Sequence, residues 1–143
     1  MNLELVNISD PFVIKEALKI DDIHKNIIFE NFETWEPNLA LSDYHFVYVD
    51  DLPVGLLMLE RFCSNGIMFH GGIFERFRHE HTKERVMRMF EEIKDIYGHE
   101  KIIMTTCLVE NKAAIAVAKK AGLKEKCVIE NASLAGDMMI LVE

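Results

Sequence analysis

The sequence has little of what marks secreted, membrane-spanning or metal-stabilised proteins. Its 143 residues include three cysteines, Cys63, Cys107 and Cys127, which are widely spaced and form no Cys-x-x-Cys pair. This argues against a disulfide framework and a structural zinc site, and it favours reduced thiols in a cytoplasmic protein. No apolar run approaches the ~20 residues that cross a bilayer. No basic stretch precedes an apolar one at the N-terminus, so we expect no secretory signal.

Positive charge is also scarce. Sixteen basic residues stand against twenty-four acidic ones, and the formal net charge is −8. Because an acidic chain repels polyanions at long range, we expect neither a nucleic-acid nor a membrane partner. The chain has no repeat, low-complexity tract or linker, and half of its residues are apolar. We therefore expect a single domain over residues 1–143.

The N-terminal half predicts a strand, two helices and a meander. A short strand over Leu3–Val6 precedes a helix that begins at Ser9-Asp10-Pro11, because a capping side chain before proline is typical of a first turn. A second helical stretch is predicted over roughly Asp22–Phe32. β-Branched and aromatic residues, separated by turn signals, then predict three antiparallel strands. These cover Tyr44–Val49, Val54–Arg61 and Ile67–Phe74.

The C-terminal half predicts two helices that alternate with strands. Apolar residues spaced i, i+3, i+4, i+7 and i+11 from Val86 indicate an amphipathic helix that ends near Gly98. Lys101–Leu108 is typical of a buried central strand, and Asn111 can cap a helix that ends at Gly122. The last two strands are predicted over Leu123–Glu130 and Asp137–Val142. We expect an α/β (α+β) fold: a mixed, mostly antiparallel sheet of six to seven strands with helices on both faces.

The segment Asn111–Leu123 carries the most specific pattern. It reads Asn-Lys-Ala-Ala-Ile-Ala-Val-Ala-Lys-Lys-Ala-Gly-Leu and resembles the Asn-x-x-Ala-x-x-x-Tyr-x-Lys-x-Gly-Phe signature of GCN5-related N-acetyltransferases (GNAT), with Ala118 at the Tyr position. The similarity covers roughly Tyr44–Val142. It implies the GNAT fold and an acyl-CoA-dependent N-acyltransferase that moves an acetyl group from acetyl-CoA to a small-molecule or protein amine. Many proteins of this fold dimerise, so a homodimer is compatible with the resemblance.

In this family a glycine-rich loop at the start of the long helix holds the CoA diphosphate. A helix N-terminus offers free N–H groups, and glycines let the backbone come close. Here the matching segment, Phe-Arg-His-Glu-His-Thr-Lys, has no glycine, so basic side chains and protonated histidines would have to compensate and binding would depend on pH. The cofactor-binding residues implied in this loop are Arg78, His79, Glu80, His81, Thr82 and Lys83. Those implied outside it are Ile73, Phe74, Asn111 and Ala114.

Acetylation of an amine needs a base for the amine, a donor for the thioester carbonyl and an acid for the thiolate. His70 is the first candidate for the base, because the adjacent Gly71 and Gly72 suggest a bulge or the close approach of a ligand. A half-buried packing histidine explains His70 equally well. Glu75, just after the strand, is the second candidate. Ala118 cannot supply the acid that the family's Tyr often provides.

The missing Tyr and glycines favour an alternative, a catalytically inactive GNAT-fold binding or assembly module. A loose likeness to small phage-encoded acetyltransferase-like proteins, some tied to virion assembly, would make it a virion-associated or head-assembly component. A pH or metal sensor would use His79 and His81 with His70 or Glu80, but a solvated turn also suits this acidic context and we expect no metal. The acidic region from residue 21 to 36 would favour a cationic amine, or is simply a solvated face.

Overall fold

The computed structural model describes residues 1–80 and 82–143. They form one seven-stranded sheet in the order β1-β2-β3-β4-β5-β7-β6. The strands are β1 Leu3–Ile8, β2 Ser42–Val49, β3 Leu52–Cys63, β4 Gly66–Ile73, β5 Ile102–Leu108, β6 Lys124–Ser133 and β7 Gly136–Val142. The helices are α1 Pro11–Lys19, α2 Lys83–Tyr97 and α3 Lys112–Lys120. All neighbouring strands pair antiparallel except β4 and β5, which confirms the predicted mixed sheet.

Capping side chains fix where the helices begin. The Asp10 carboxylate accepts from the Phe12 N–H at 2.9 Å, and Pro11 occupies the first turn of α1. Thr82 caps α2 and Asn111 caps α3 in the same way. Each cap satisfies an N–H group that the helix itself leaves without a partner. The helix starts predicted at Asp10 and Asn111 are therefore confirmed.

The prediction of a second helix over Asp22–Phe32 is wrong. The chain forms 3₁₀ turns over Ile20–Asn26 and irregular backbone from there to Phe32. Asp21 and Asp22 interrupt these turns with φ angles of 51° and 55°, in the left-handed region that a continuous helix excludes. Ile23 is fully buried against the sheet, and the His24 ring stacks on Phe32 at 4.2 Å. These tertiary contacts outweigh the local helical pattern.

The bulge suggested beside His70 is absent. The register of β4 with β3 runs without a shift from Ile67 to Ile73. Gly72 is explained by packing within the chain, because a Cβ at this position would lie 2.7 Å from the Cβ of Ile23. The close approach that the glycine permits is therefore made by the first 3₁₀ segment (Ile20–Asn26) and not by a ligand.

Two hydrophobic clusters cover the two faces of the sheet. One joins the sheet to α2 and α3 through Val86, Phe90 and Ile115. The other joins it to α1 and the first 3₁₀ segment through Ile14 and Ile23, so the predicted helices on both faces are confirmed. In the described sheet β6 pairs with β7 alone, as an exposed edge strand. No described helix has the length and apolar character that a membrane crossing requires.

Candidate functional site

β4 and β5 run parallel and separate partway along their length. Their pairing ends at Met68 and Met104, although both strands continue beyond that point. Thr105 lies at the separation, where its Oγ1 donates to the carbonyl of Phe69 at 2.7 Å. A cavity of about 410 Å³ occupies the opening beyond it, between the two strands and against α3. We refer to it as the cleft cavity.

Backbone groups of β4 face this opening. Along a strand, the N–H and C=O groups of alternate residues point to opposite neighbours. The Phe74 N–H donates to the Val54 carbonyl of β3 at 2.9 Å, whereas the carbonyls of Phe69 and Ile73 accept from the other side. By this alternation both backbone groups of Gly71 face the cleft, beyond the last β4–β5 pair. They offer one donor and one acceptor to an amide-bearing ligand.

The rim of the cleft cavity carries positive charge. Among the lining residues that the structure describes, the charged ones are Lys25 and Arg78. The Arg78 Nε donates to the Ile73 carbonyl at 3.1 Å, which holds this side chain at the rim. The Asn111 Nδ2 donates to the Asn26 Oδ1 at 3.3 Å and so joins α3 to the first 3₁₀ segment. A cationic rim with amide groups suits an anionic ligand.

His70 lies at the inner end of the cleft. Its side chain is 7% exposed, and the Phe29 ring meets it edge to face with centroids 5.6 Å apart. Burial lowers the pKa of His70 to about 4, and a hydrogen bond with the backbone of Thr106 opposes that effect only in part. The imidazole is therefore neutral at neutral pH.

A second cavity of about 1040 Å³ opens next to the α1 side of the sheet and shares Phe29 and His70 with the cleft cavity. The charged residues in its described lining are all carboxylates. They are Glu30, Glu36 and Glu60. We refer to it as the acidic cavity. His70 therefore lies in the wall between the two cavities, with positive charge in the lining of one and negative charge in the lining of the other.

The wall of the acidic cavity contains a small polar network. The Ser42 Oγ lies 3.5 Å from the Glu60 Oε1. Burial raises the pKa of Tyr44 to about 12, against the lowering effect of a hydrogen bond with Ser42. The Tyr44 hydroxyl therefore stays protonated at neutral pH. This wall can hold a donor-rich ligand such as an ammonium group.

Five of the twelve residues that sequence reasoning proposed for the site lie around the cleft cavity. These are His70, Ile73, Arg78, Asn111 and Ala114. Phe74 does not reach it, because this side chain packs into the α1-side core and its N–H is used by β3. Glu75 is also remote: its side chain is exposed, and its backbone N–H donates to the Asp21 carboxylate at 2.8 Å.

The glycine-free loop forms a second 3₁₀ segment, Glu75–Glu80, ahead of α2. The other described cofactor-binding candidates in this part of the chain have exposed side chains that do not fold into the cleft. They are His79, Glu80, Thr82 and Lys83. The Glu80 carboxylate, which would repel phosphate, pairs with Arg85 at 3.3 Å. His81 lies outside the described residues. Within the part of the chain that the structure describes, no three His, Cys, Asp or Glu side chains gather to hold a metal.

Several lining residues were not found by sequence reasoning. Lys25, Asn26 and Phe29 reach the cleft only because the first 3₁₀ segment folds over β4. Cys107 lines the cavity beside Ala118, and burial raises its pKa to about 11, so the thiol stays protonated. No local pattern marks these positions, since their place depends on contacts between distant parts of the chain.

Comparisons with known proteins identify the architecture. No protein-family model and no curated protein matches the sequence. Solved structures do match. The spermidine N-acetyltransferase from Vibrio cholerae in complex with CoA and spermine gives a TM-score of 0.73 at 15% identity, over 99% of this chain and 94% of that one. The aminoglycoside acetyltransferase AAC(6′)-Ib in complex with coenzyme A and kanamycin gives 0.70 at 14% identity, over 99% and 94%.

The complex of AAC(6′)-Ib with ribostamycin and coenzyme A agrees, with a TM-score of 0.71 at 13% identity over 100% of this chain and 93% of that one. Near-complete coverage at such low identity shows a shared fold. The chain has the GNAT fold, as its sequence predicted.

Proposed function

We propose that this protein is an acyl-CoA-dependent N-acyltransferase that transfers the acetyl group of acetyl-CoA to an amine. The observation that carries the proposal is that His70 lines both the cleft cavity and the acidic cavity. A thioester in the first and an amine in the second would face each other across that side chain. Holding two reactants in this way supplies much of what direct group transfer requires.

The cleft cavity has suitable groups for the donor. The Gly71 carbonyl can accept from an amide N–H of a pantetheine arm, and Lys25 and Arg78 supply positive charge for phosphates. The N-terminus of α2, which Thr82 caps, adds a favourable dipole. Of the side chains in the second 3₁₀ segment, Arg78 alone lines the cleft, at its rim, and Glu75, Arg76, His79 and Glu80 are exposed outside it. The solved acetyltransferases of this fold named above were crystallised with coenzyme A.

The acidic cavity favours a small cationic amine as the acceptor. Lys15 pairs with Glu36 at 3.1 Å, whereas Glu30 and Glu60 have no basic partner among the described residues. Their carboxylates would attract an ammonium group and orient it beside His70. Spermine and kanamycin, the amines bound by the similar structures, are of this kind.

In the proposed reaction the neutral amine nitrogen bonds to the thioester carbonyl carbon while the Gly71 N–H donates to the carbonyl oxygen. The carbon–sulfur bond then breaks and releases a thiolate. The proton lost by nitrogen passes to His70 and from there to the sulfur, so the products are an amide and a free thiol. Because the pKa of His70 is about 4, its protonated form donates a proton more readily than an ordinary imidazolium and can take the role of the Tyr whose position Ala118 occupies.

The same low pKa limits what His70 can do. A base of that strength cannot deprotonate a free alkylammonium ion, whose pKa lies near that of lysine, about 10.4. The acceptor must therefore lose its first proton to solvent or to the carboxylates before it attacks. His70 acts on the more acidic nitrogen of the tetrahedral intermediate.

Calorimetric titration with acetyl-CoA at pH 6 and pH 8 tests the donor site. We expect micromolar binding, weakened about tenfold by Arg78→Ala, because a charged hydrogen-bonding group is lost. Arg76→Ala is the matched control, since Arg76 lies in the same 3₁₀ segment but outside the cleft lining. Absence of binding at both pH values would contradict the proposal and leave the alternative, a binding or assembly module without chemistry.

A turnover assay with spermine as the probe amine tests His70. We expect His70→Ala to lower turnover strongly and to leave the affinity for acetyl-CoA largely intact. Unchanged turnover would remove His70 from the mechanism.

A further inference from the structure

The cleft cavity extends sideways beneath α2, beyond the space that a pantetheine arm would use. This lateral branch is lined by Val47 of β2, Leu57 of β3, and Val86 and Met89 of α2. These four side chains are between 0% and 6% exposed. β2 lies two strands from β4 in the sheet, which is roughly 10 Å at the usual strand spacing.

The backbone explains why the branch is not filled by the protein itself. Gly55 pairs with Val47 on one side and Ile73 on the other, on the face that α2 covers. A Cβ at Gly55 would lie 2.4 Å from the Gly72 carbonyl oxygen and 3.1 Å from the Ile73 Cδ1, so the Ile73 side chain covers this position. Gly71, next along the same face, lines the cavity and carries no side chain. A Cβ at Gly71 would meet Leu57 and the Leu56 carbonyl at 3.5 and 3.7 Å, so the bare position at Gly71 is what the sheet contributes to the void.

Of the parts of an acyl donor, only the hydrocarbon chain of the acyl group could enter the branch. The pantetheine amides would bond to the β4 edge that faces β5, on the far side of Gly71 from β2. The branch opens at Gly71, where the acyl carbon would lie, and Val47, Leu57, Val86 and Met89 give it an apolar wall. A water molecule finds few partners in such a space, whereas a hydrocarbon chain gains contact on every side.

We propose that the lateral branch binds the hydrocarbon chain of acyl-CoA donors longer than acetyl, so that the protein prefers a medium-length acyl group. This inference rests on the proposed function and names its donor class. Each methylene buried from water should strengthen binding about fourfold. Butyryl-CoA, with two more methylenes, should then bind about sixteenfold more tightly than acetyl-CoA, and hexanoyl-CoA more tightly still.

Calorimetry with CoA, acetyl-CoA, butyryl-CoA and hexanoyl-CoA on the wild-type protein is the first test. Rising affinity with chain length supports the inference. If CoA and acetyl-CoA bind but the longer thioesters bind equally or more weakly, the branch does not take the chain and the proposed function stands. If none of the four binds, the proposed function itself fails.

Variants that fill the branch are the second test. Val47→Phe and Met89→Phe each place a ring in the void, and we expect the ratio of hexanoyl-CoA to acetyl-CoA affinity to fall towards one. Val128→Phe, on the exposed edge strand β6, is the matched control and should keep the wild-type ratio. Circular dichroism melts identify which variants fold. A folded Val47→Phe or Met89→Phe protein that keeps the full preference would overturn the inference.

Discussion

Acid should destabilise this protein through His70. The side chain is 7% exposed, and burial lowers its pKa from 6.5 to about 4. In the unfolded chain the imidazole is hydrated and takes up a proton near pH 6.5. The unfolded state therefore binds the proton first as the pH falls. Stability that is fully present above pH 6.5 is lost progressively down to pH 4.

The size of the loss follows from the two pKa values of His70. At pH 7.5 neither state is appreciably protonated, so the histidine contributes almost no pH dependence. At pH 5.0 almost all unfolded molecules carry the proton and about a tenth of folded ones do. The free energy of unfolding then falls by about 2 kcal/mol, which corresponds to roughly 4–8 °C in melting temperature for a protein of this size.

Urea denaturation of the wild type and of His70→Leu at pH 7.5 and pH 5.0 measures this effect. The variant should lose about 2 kcal/mol less between the two pH values than the wild type does. His79→Gln is the matched control, because the His79 side chain is 75% exposed. Equal pH dependence in the wild type and His70→Leu would refute the assignment of a buried, neutral His70.

Three further predictions concern stability, and urea denaturation measures each. Gly72→Ala should cost about 1–3 kcal/mol, because its Cβ would overlap Ile23 at 2.7 Å. Gly71→Ala, whose Cβ meets its nearest atom at 3.5 Å, should cost less, and equal losses would count against the packing argument. His45→Leu should stabilise by about 1 kcal/mol, because both ring nitrogens are buried without a described partner; a loss would show that they are satisfied. Asn111→Ala should lower the free energy of unfolding by about 1 kcal/mol, because the cap of α3 is lost. Asn111→Asp should retain most of the stabilisation that the cap provides.

Elements whose stability is local could be predicted from the sequence. The stripe from Val86 to Tyr97 repeats with the helical period, and its inward residues are buried in α2. The Asp50-Asp51 turn, with φ angles of 49° and 69°, closes the predicted β2–β3 hairpin. The region after α1 could not be predicted, because the position of Ile23 depends on Gly72, far along the chain.

In the candidate site, too, residues in local patterns could be predicted and residues placed by distant contacts could not. Arg78 and Asn111 could be proposed because they match the loop and the signature of the GNAT resemblance, and His70 because two glycines follow it in a predicted strand. Lys25 and Glu60 could not, because neither belongs to a local pattern and each reaches its cavity through tertiary contacts. Glu75 shows the opposite error: it follows directly on the strand that carries His70, but it lies on the exposed 3₁₀ segment.

Charge separation across the sheet gives the proposed reaction a direction. The net charge of −8 would repel a phosphate-bearing donor at long range, and Lys25 and Arg78 counter that repulsion at the cleft. Glu30 and Glu60 attract a cation into the other cavity and disfavour an anion there. In the proposed reaction each substrate would therefore be disfavoured by charge in the other's cavity. The amine would then attack the thioester from the α1 side of the sheet, across His70.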